Sequence, residues 1–264
     1  MKNIKGKVVW ITGASSGIGE ALAYAFAKER ALLILTARDK NKLEKVREKC
    51  LLNTSQCWLY PADLSETEKI GDLVNSVLEQ TGKIDLLINN AGLSQRSLAK
   101  ETPVQIDRDI MELNFFSVIT LTKLVLAYML KNGSGHLVVI SSITGKFGFP
   151  MRTAYCASKH AVQGYFEALR AELVDDNIQV TIVSPGRVNT SISKNAITER
   201  GQVYNKMDDG QANGISADLC AMKIVKAIKR NRKEVLVGRN ELLMVYIRRF
   251  LPVLYYKLVT KIKN

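Results

Sequence analysis

Tyr155 and Lys159 lie four positions apart in a run of helical period, a spacing that places both side chains on one helix face. A phenol and an ammonium held together in a cleft can do proton work. A free tyrosine titrates near 10, too high for efficient exchange at neutral pH, and a neighbouring positive charge favours the phenolate. A shift of ~2 to 3 units needs roughly 3 to 4 kcal/mol of preferential interaction, which a desolvated site can supply. Taken alone, such a pair also arises by chance, so its weight depends on what accompanies it.

A glycine-rich turn accompanies it. Thr12-Gly13-Ala14-Ser15-Ser16-Gly17-Ile18-Gly19 follows an apolar run and opens a helical one, the strand, turn, helix context that a dinucleotide loop requires. Gly13 permits a sharp turn, and Gly17 and Gly19 carry no side chain, so a pyrophosphate can approach the backbone and the helix amino terminus. An ordinary tight turn is the alternative, and the context favours dinucleotide binding. The second apolar run ends Leu35-Thr36-Ala37-Arg38. An acidic residue there would hold ribose hydroxyls and favour NAD, whereas Arg38 can pair with a 2′-phosphate and points to NADP(H). The adjacent Asp39 pulls the other way, and Arg38 could also be simply solvated.

The elements that must position these residues follow from periodicity. Short β-branched or leucine-rich runs at 8–11, 32–35, 57–60, 86–88, 136–140, 180–183 and 235–237 alternate with helical segments such as 18–30, 66–79, 106–130 and 155–173. This alternation predicts a doubly wound α/β fold, a parallel sheet of about seven strands with helices on both faces. At 264 residues with 47% hydrophobic and 24% charged, the chain has the composition of one soluble globular domain rather than a disordered or multi-span membrane protein. The domain is expected over 1–240, followed by a basic, apolar tail over 241–264. Residues 189–214, rich in Asn, Ser, Gly and Asp, read as a mobile loop beside a site.

Cys50, Cys57, Cys156 and Cys220 are too sparse for a disulfide scaffold and contain no CxxC pair, so a reducing, cytoplasmic setting is expected. The apolar strand begins after MKNIKG, which leaves no room for a signal peptide. With only His136 and His160 and no Cys/His cluster, no metal site is expected; His160 is read as a helix residue with an ordinary hydrogen bond. The net charge of +13 suits a phosphate-bearing ligand, an acidic partner or an anionic membrane surface. No nucleic-acid recognition motif accompanies it.

Further motifs stand in order: Asp63-Leu64, Asn89-Asn90-Ala91-Gly92, Asn114, Ser142, Tyr155-Cys156-Ala157-Ser158-Lys159 and Pro185-Gly186-Arg187-Val188-Asn189-Thr190. With the glycine turn, this ordered set resembles the classical short-chain dehydrogenase/reductases over about residues 5 to 240. Residues 91–98 and 155–161 are similar to the dehydrogenase/reductase member 7 branch, related to 11β-hydroxysteroid dehydrogenase type 1. The resemblance implies a Rossmann-like single domain, usually dimeric or tetrameric. It implies cofactor contacts from Gly13, Ser15, Ser16, Gly17, Ile18, Gly19, Arg38, Asp63, Leu64, Asn90, Ala91, Gly92, Tyr155, Lys159, Pro185, Gly186, Val188 and Thr190. Ser142, 13 residues before Tyr155, is implied to bind the substrate oxygen while Tyr155 moves a proton. Ser141 is the neighbouring candidate. Asn114 is implied to hold a water that links Lys159 to solvent.

The implied reaction moves hydride between NADP(H) and a carbonyl or alcohol carbon of a hydrophobic substrate: a steroid, a retinoid or another lipid-like carbonyl compound. A 3-oxoacyl-carrier-protein reductase is the alternative enzyme, its acidic partner suiting the basic charge. A non-catalytic NADP(H)-binding regulatory protein is the alternative of another class, although the catalytic set stands complete. Two departures from the family stand out: Arg30-Ala31 replaces a common Gly-Ala turn, and the amino-terminal anchor of many animal relatives is not seen. In the tail, Arg248-Arg249 interrupts the apolar run and Pro252 should break a helix. A span is therefore not expected, but peripheral membrane contact is. Phe250, Leu251, Leu254 and Tyr255 would enter the interface, while Lys257, Lys261, Lys263 and the two arginines meet headgroups. Packing over the substrate cleft or a subunit interface is the equal alternative.

Overall fold

The computed structural model describes residues 2–260. Six parallel strands run β1 (Val8–Thr12), β2 (Leu32–Ala37), β3 (Cys57–Pro61), β4 (Leu86–Asn89), β5 (Gly135–Ile140) and β6 (Ile178–Pro185). A two-residue ribbon pairs β7 (Val188–Asn189) with β8 (Ile215–Ser216), and β9 (Glu234–Val237) completes a seven-stranded sheet of order β3-β2-β1-β4-β5-β6-β9. Every strand expected from sequence is present, longer by one or two residues at an end or at both. Because β1 lies between β2 and β4, successive crossovers leave it in opposite directions. A crevice therefore opens at the carboxyl ends of β1 and β4, where such sheets bind ligands.

Alternation along the strands divides the core. Val9 and Ile11 of β1 pack with Leu33 and Leu35 on one face, against α1 (Gly17–Lys28), α2 (Lys40–Leu51) and, farther along the chain, α8 (Ala217–Lys229). Val8, Trp10 and Ile34 point to the other face, against α3 (Ile70–Thr81), α5 (Ser117–Lys131) and α6 (Thr153–Glu172). Such period-two burial on both faces is the signature of a covered parallel sheet. The helix expected over 106–130 spans Val104–Lys131, with α4 (Val104–Met111) joined to α5 through a π segment, Glu112–Phe116. By length and composition this helix could cross a membrane, yet its Val118, Leu121, Val125 and Met129 are buried on the sheet.

Two stretches of the chain carry structure that the sequence did not specify. Residues 189–214 are largely irregular and line the cleft, as expected of a loop beside a site; they also include the end of β7 and α7 (Asp209–Ala212), and Asp208 is tied to Arg96 and Arg152. Pro252 does break the tail, but by starting a second helix at its first turn, so that α9 (Leu243–Phe250) is followed by α10 (Pro252–Val259).

The Arg30 departure has a structural consequence. Helix α1 ends at Lys28; Arg30 N–H donates to Ala27 O at 2.8 Å and Ala31 N–H to Phe26 O at 3.1 Å, with Arg30 at φ 59°. This bond pattern closes a helix around a left-handed residue, a position that favours glycine, and costs an L side chain ~1 kcal/mol or more. Arg30→Gly should therefore stabilise the fold by about 1 kcal/mol and raise the thermal midpoint by roughly 2 to 4 °C. A calorimetric scan with an unchanged or lower midpoint would show that the arginine side chain offsets its backbone strain.

Candidate active site

The crevice is a cleft of about 670 Å³. Every residue expected from sequence to bind the cofactor or take part in catalysis lines it except Gly19 and Asn114, which stand immediately behind its wall.

One half is built from backbone. Thr12 Oγ1 accepts from the N–H groups of Asn90 at 2.9 Å and Ala91 at 3.0 Å, and Asn90 Nδ2 donates to Thr12 O at 2.9 Å and Gly13 O at 3.2 Å. These bonds fasten the ends of β1 and β4 so closely that a Cβ on Gly13, already at φ 64°, would stand 2.8 Å from Ala91 Cα. A Cβ on Gly19 would overlap the Gly13 carbonyl, and one on Gly17 would press on Thr190 at 3.1 Å. Ser16 makes no side-chain cap to α1, so the first N–H groups of that helix face the cleft over Ser15, Ser16, Gly17 and Ile18. This is a cradle for an anion, and a pyrophosphate fits it. Arg38 lies at the rim, its guanidinium 3.7 Å from Asp63 and mostly exposed, while Leu64 is buried beneath.

The other half carries side chains. Helix α6 delivers Tyr155 and Lys159, both buried. Lys159 Nζ donates to Ile140 O at 2.9 Å and lies 5.8 Å from the centre of the Tyr155 ring. A Cβ on Gly92 would come 3.5 Å from that ammonium and 3.2 Å from Asn114 Oδ1. The π segment explains Asn114: its wide turn carries a fully buried amide that accepts from Leu93 N–H at 2.8 Å and donates to Leu93 O at 2.9 Å and Ser158 Oγ at 3.0 Å. Ser142 lies two residues past β5 in extended conformation, accepting from Thr144 N–H at 3.2 Å. Ser141 is turned away, its hydroxyl donating to Lys159 O, which leaves Ser142 as the serine beside the phenol.

Burial dominates the electrostatics of the pair. Burial raises the Tyr155 pKa above its ordinary value; the groups that draw it back are Ser142, Arg152 and Arg96. Lys159, by the same burial, is pushed down to about 8. The ammonium alone therefore does not make a phenolate in this structure. His136 is also pushed down, to about 3, by burial, and takes no part. His160 Nδ1 bonds Cys156 O at 2.8 Å, as expected. Among the described residues no group of side chains could hold a metal ion.

Several cleft residues were assigned no role from sequence. Arg96, Phe149, Arg152 and Asp208 line the cleft around Tyr155; the only sequence signal was an arginine three residues before the tyrosine. No described residue of the tail lines the cleft. The tail supports the segment after Ser142 from outside: Tyr255 is buried against Phe147, its hydroxyl donating to Gly148 O at 2.6 Å. Tyr255 is thus withdrawn from any interface, and Lys261 and Lys263 lie outside the described residues.

Comparison with known proteins agrees with this geometry. The family model described as short chain dehydrogenase matches residues 7–201. A dehydrogenase/reductase SDR family protein 7-like from Anopheles gambiae is 44% identical, the match covering 98% of this chain and 84% of that one. A short chain dehydrogenase/reductase from Burkholderia phymatum in complex with NAD has the same fold, with a TM-score of 0.87 at 24% identity over the whole of both chains. A metagenomic short-chain oxidoreductase in complex with NADP, 26% identical, covers 89% of this chain and 98% of its own, with a TM-score of 0.74. A chain with this sheet, this glycine cradle and these matches belongs to the short chain dehydrogenase family, in its dehydrogenase/reductase member 7 branch.

Proposed function

We propose that the protein is an NADP(H)-dependent oxidoreductase that reduces the carbonyl group of a hydrophobic substrate, and oxidises the corresponding alcohol in reverse. The observation that carries this reading is the meeting of Ser142, Tyr155 and Lys159 where the glycine cradle joins an apolar chamber. The dinucleotide, when bound, supplies hydride chemistry. The chain's own residues do the rest. Ser142 donates to the carbonyl oxygen, Tyr155 delivers the proton, Lys159 holds the nicotinamide ribose, and Asn114 orders a water that reprotonates the pair. A buried phenol with a raised pKa is a protonated acid at neutral pH, as reduction requires. Leu93, Ile143, Ile192, Ile197 and Val203 line the chamber, which favours a lipid-like substrate such as a steroid or retinoid. The charge of +13 keeps a carrier-protein-bound 3-oxoacyl substrate as a second reading. Oxidation of NADPH and NADH against ketones, aldehydes and acyl thioesters tests the assignment. Tyr155→Phe should fold and bind NADPH while turnover falls at least ~100-fold; near-normal turnover would remove Tyr155 from the chemistry.

The preference for NADPH rests on Arg38. Its guanidinium stands exposed at the cleft rim with a 3.7 Å approach to Asp63 as its ion pair, open to a 2′-phosphate. A charge-assisted contact is worth ~1.5 to 3 kcal/mol, so Arg38→Ala should weaken NADPH roughly 10-fold to 100-fold and leave NADH nearly unchanged. Equal losses in a fluorescence titration would assign Arg38 to the fold or the common diphosphate.

The setting we propose is cytoplasmic, with a homodimer or homotetramer as in the family and peripheral contact with membranes through the tail. Leu243, Tyr246, Phe250, Leu251, Val253, Leu254 and Tyr256 are exposed there, and Arg248, Arg249 and Lys257 accompany them. This mixture of apolar and basic side chains suits an anionic interface. Full-length protein should float with anionic liposomes at low salt and be released at high salt. Retention in the soluble fraction at low salt rejects the contact and leaves the tail as a support for the 143–149 segment.

A further inference from the structure

In the substrate half of the cleft, two guanidinium groups share one carboxylate. Arg96 and Asp208 are almost fully buried and Arg152 nearly so, with side-chain exposures of 3%, 7% and 12%. Arg96 is held by protein through four of its five N–H donors: Nε donates to Asp208 Oδ2 at 3.0 Å, Nη2 donates to the same oxygen, and Nη1 donates to Ser94 Oγ at 2.8 Å and to Gln95 O. Arg152 is not. Its Nη2 donates to that oxygen at 2.9 Å, its guanidinium carbon lies 4.4 Å from the centre of the Phe149 ring, and the residue lines the cleft.

The cluster carries one positive charge too many. Fastening the segment around Asp208 over the cleft needs a single arginine, and Arg96 already does it. A second guanidinium buried without its own anion is costly. Burial, with Arg96 beside it, pushes the Arg152 pKa down to about 10, and Asp208 is the one carboxylate among the groups acting on it. The dinucleotide phosphates do not meet this need, since their cradle lies at the start of α1, on the other side of the cleft. Arg152 caps α6, one turn before Tyr155, so whatever neutralises it sits close to the reacting carbonyl.

We infer that Arg152 is a specificity-determining residue that receives an anionic group of the substrate, a carboxylate or a phosphate monoester, placed a few bonds from the carbonyl, with the apolar remainder lying along Leu93, Ile143, Ile197 and Val203. A planar fork with one side already anchored suits either anion, because guanidinium donors match the oxygen spacing of both. This inference rests on the carbonyl-reductase reading given above and narrows its substrate class to amphiphilic carbonyl acids.

Octyl phosphate, octanoate and octanol titrated calorimetrically into full-length protein, saturated with whichever oxidised dinucleotide binds, separate the possibilities. At least one of the two anions should bind ~10-fold or more tightly than octanol, and the tighter of them tells phosphate from carboxylate. Arg152→Gln should remove the difference and leave octanol binding unchanged, while Arg152→Lys, which keeps the charge without the fork, should retain part of it. Equal binding of all three ligands by the wild-type protein overturns the inference, as does an anion preference that survives in Arg152→Gln. Should that variant not fold, the wild-type comparison and Arg152→Lys still decide. Matched carbonyl compounds with and without an acidic group then distinguish the two readings. An anion preference without any turnover sinks the oxidoreductase and keeps the site. Turnover without an anion preference does the reverse.

Discussion

The arrangement of the active site depends on burying one ammonium group. Lys159 is enclosed between the end of β5 and the π segment, with the backbone carbonyl of Ile140 as its hydrogen-bond partner and burial as what moves its pKa. Its fall from 10.5 to about 8 corresponds to a penalty on the order of 3 kcal/mol at neutral pH. The sign follows from proton counts. Between about 8 and 10.5 the unfolded chain binds more protons at this position than the folded one, so the penalty is present below that window and fades as pH rises through it. The charge is tolerated because the surroundings are rigid. Ile140 O comes from a central strand, Asn114 from a fully buried turn, and Gly92 leaves the space that a Cβ would take. A strained group of this kind persists only where the rest of the fold over-determines it.

Much of the cofactor half was legible in the sequence because its chemistry is that of backbone. Gly13, Gly17 and Gly19 mark positions where a Cβ collides, and such positions can be read from residue type and context alone. The strands were legible for a similar reason: both sheet faces are covered, so the apolar runs are nearly continuous. The substrate half was not legible. Arg96, Arg152 and Asp208 are brought together across up to 112 positions of chain, and nothing local in any of them announces a shared site. The π segment was hidden too, since one extra residue in a helical turn leaves the apolar period almost unchanged over 106–130.

The tail shows where residue type misleads. Tyr255 carries the same amphipathic character as Tyr256, and the sequence offers no reason to separate them. Packing does: Tyr255 is buried on Phe147 with its hydroxyl on Gly148 O, whereas Tyr256 is exposed. The segment 143–149 therefore feels two neighbours, the tail from outside and the cleft from inside, and Phe149 and Arg152 stand at its cleft end.

These constraints divide labour across the cleft. The cradle at β1 and β4 works by excluding side chains, and Arg38 stands exposed at its rim. The chamber around Tyr155 works by including side chains drawn from four separated stretches: the loop after β4, the segment after β5, the start of α6 and the stretch before α7. Its charge balance is set by how many guanidinium groups that assembly brings to one carboxylate. Because Asp208 is held below the ordinary carboxylate range by Arg96 and Arg152 against the opposing effect of burial, the cluster keeps its odd charge throughout the neutral range. The cleft thus encloses, beside Tyr155, a cluster whose surplus positive charge is fixed by the packing of separated stretches of chain.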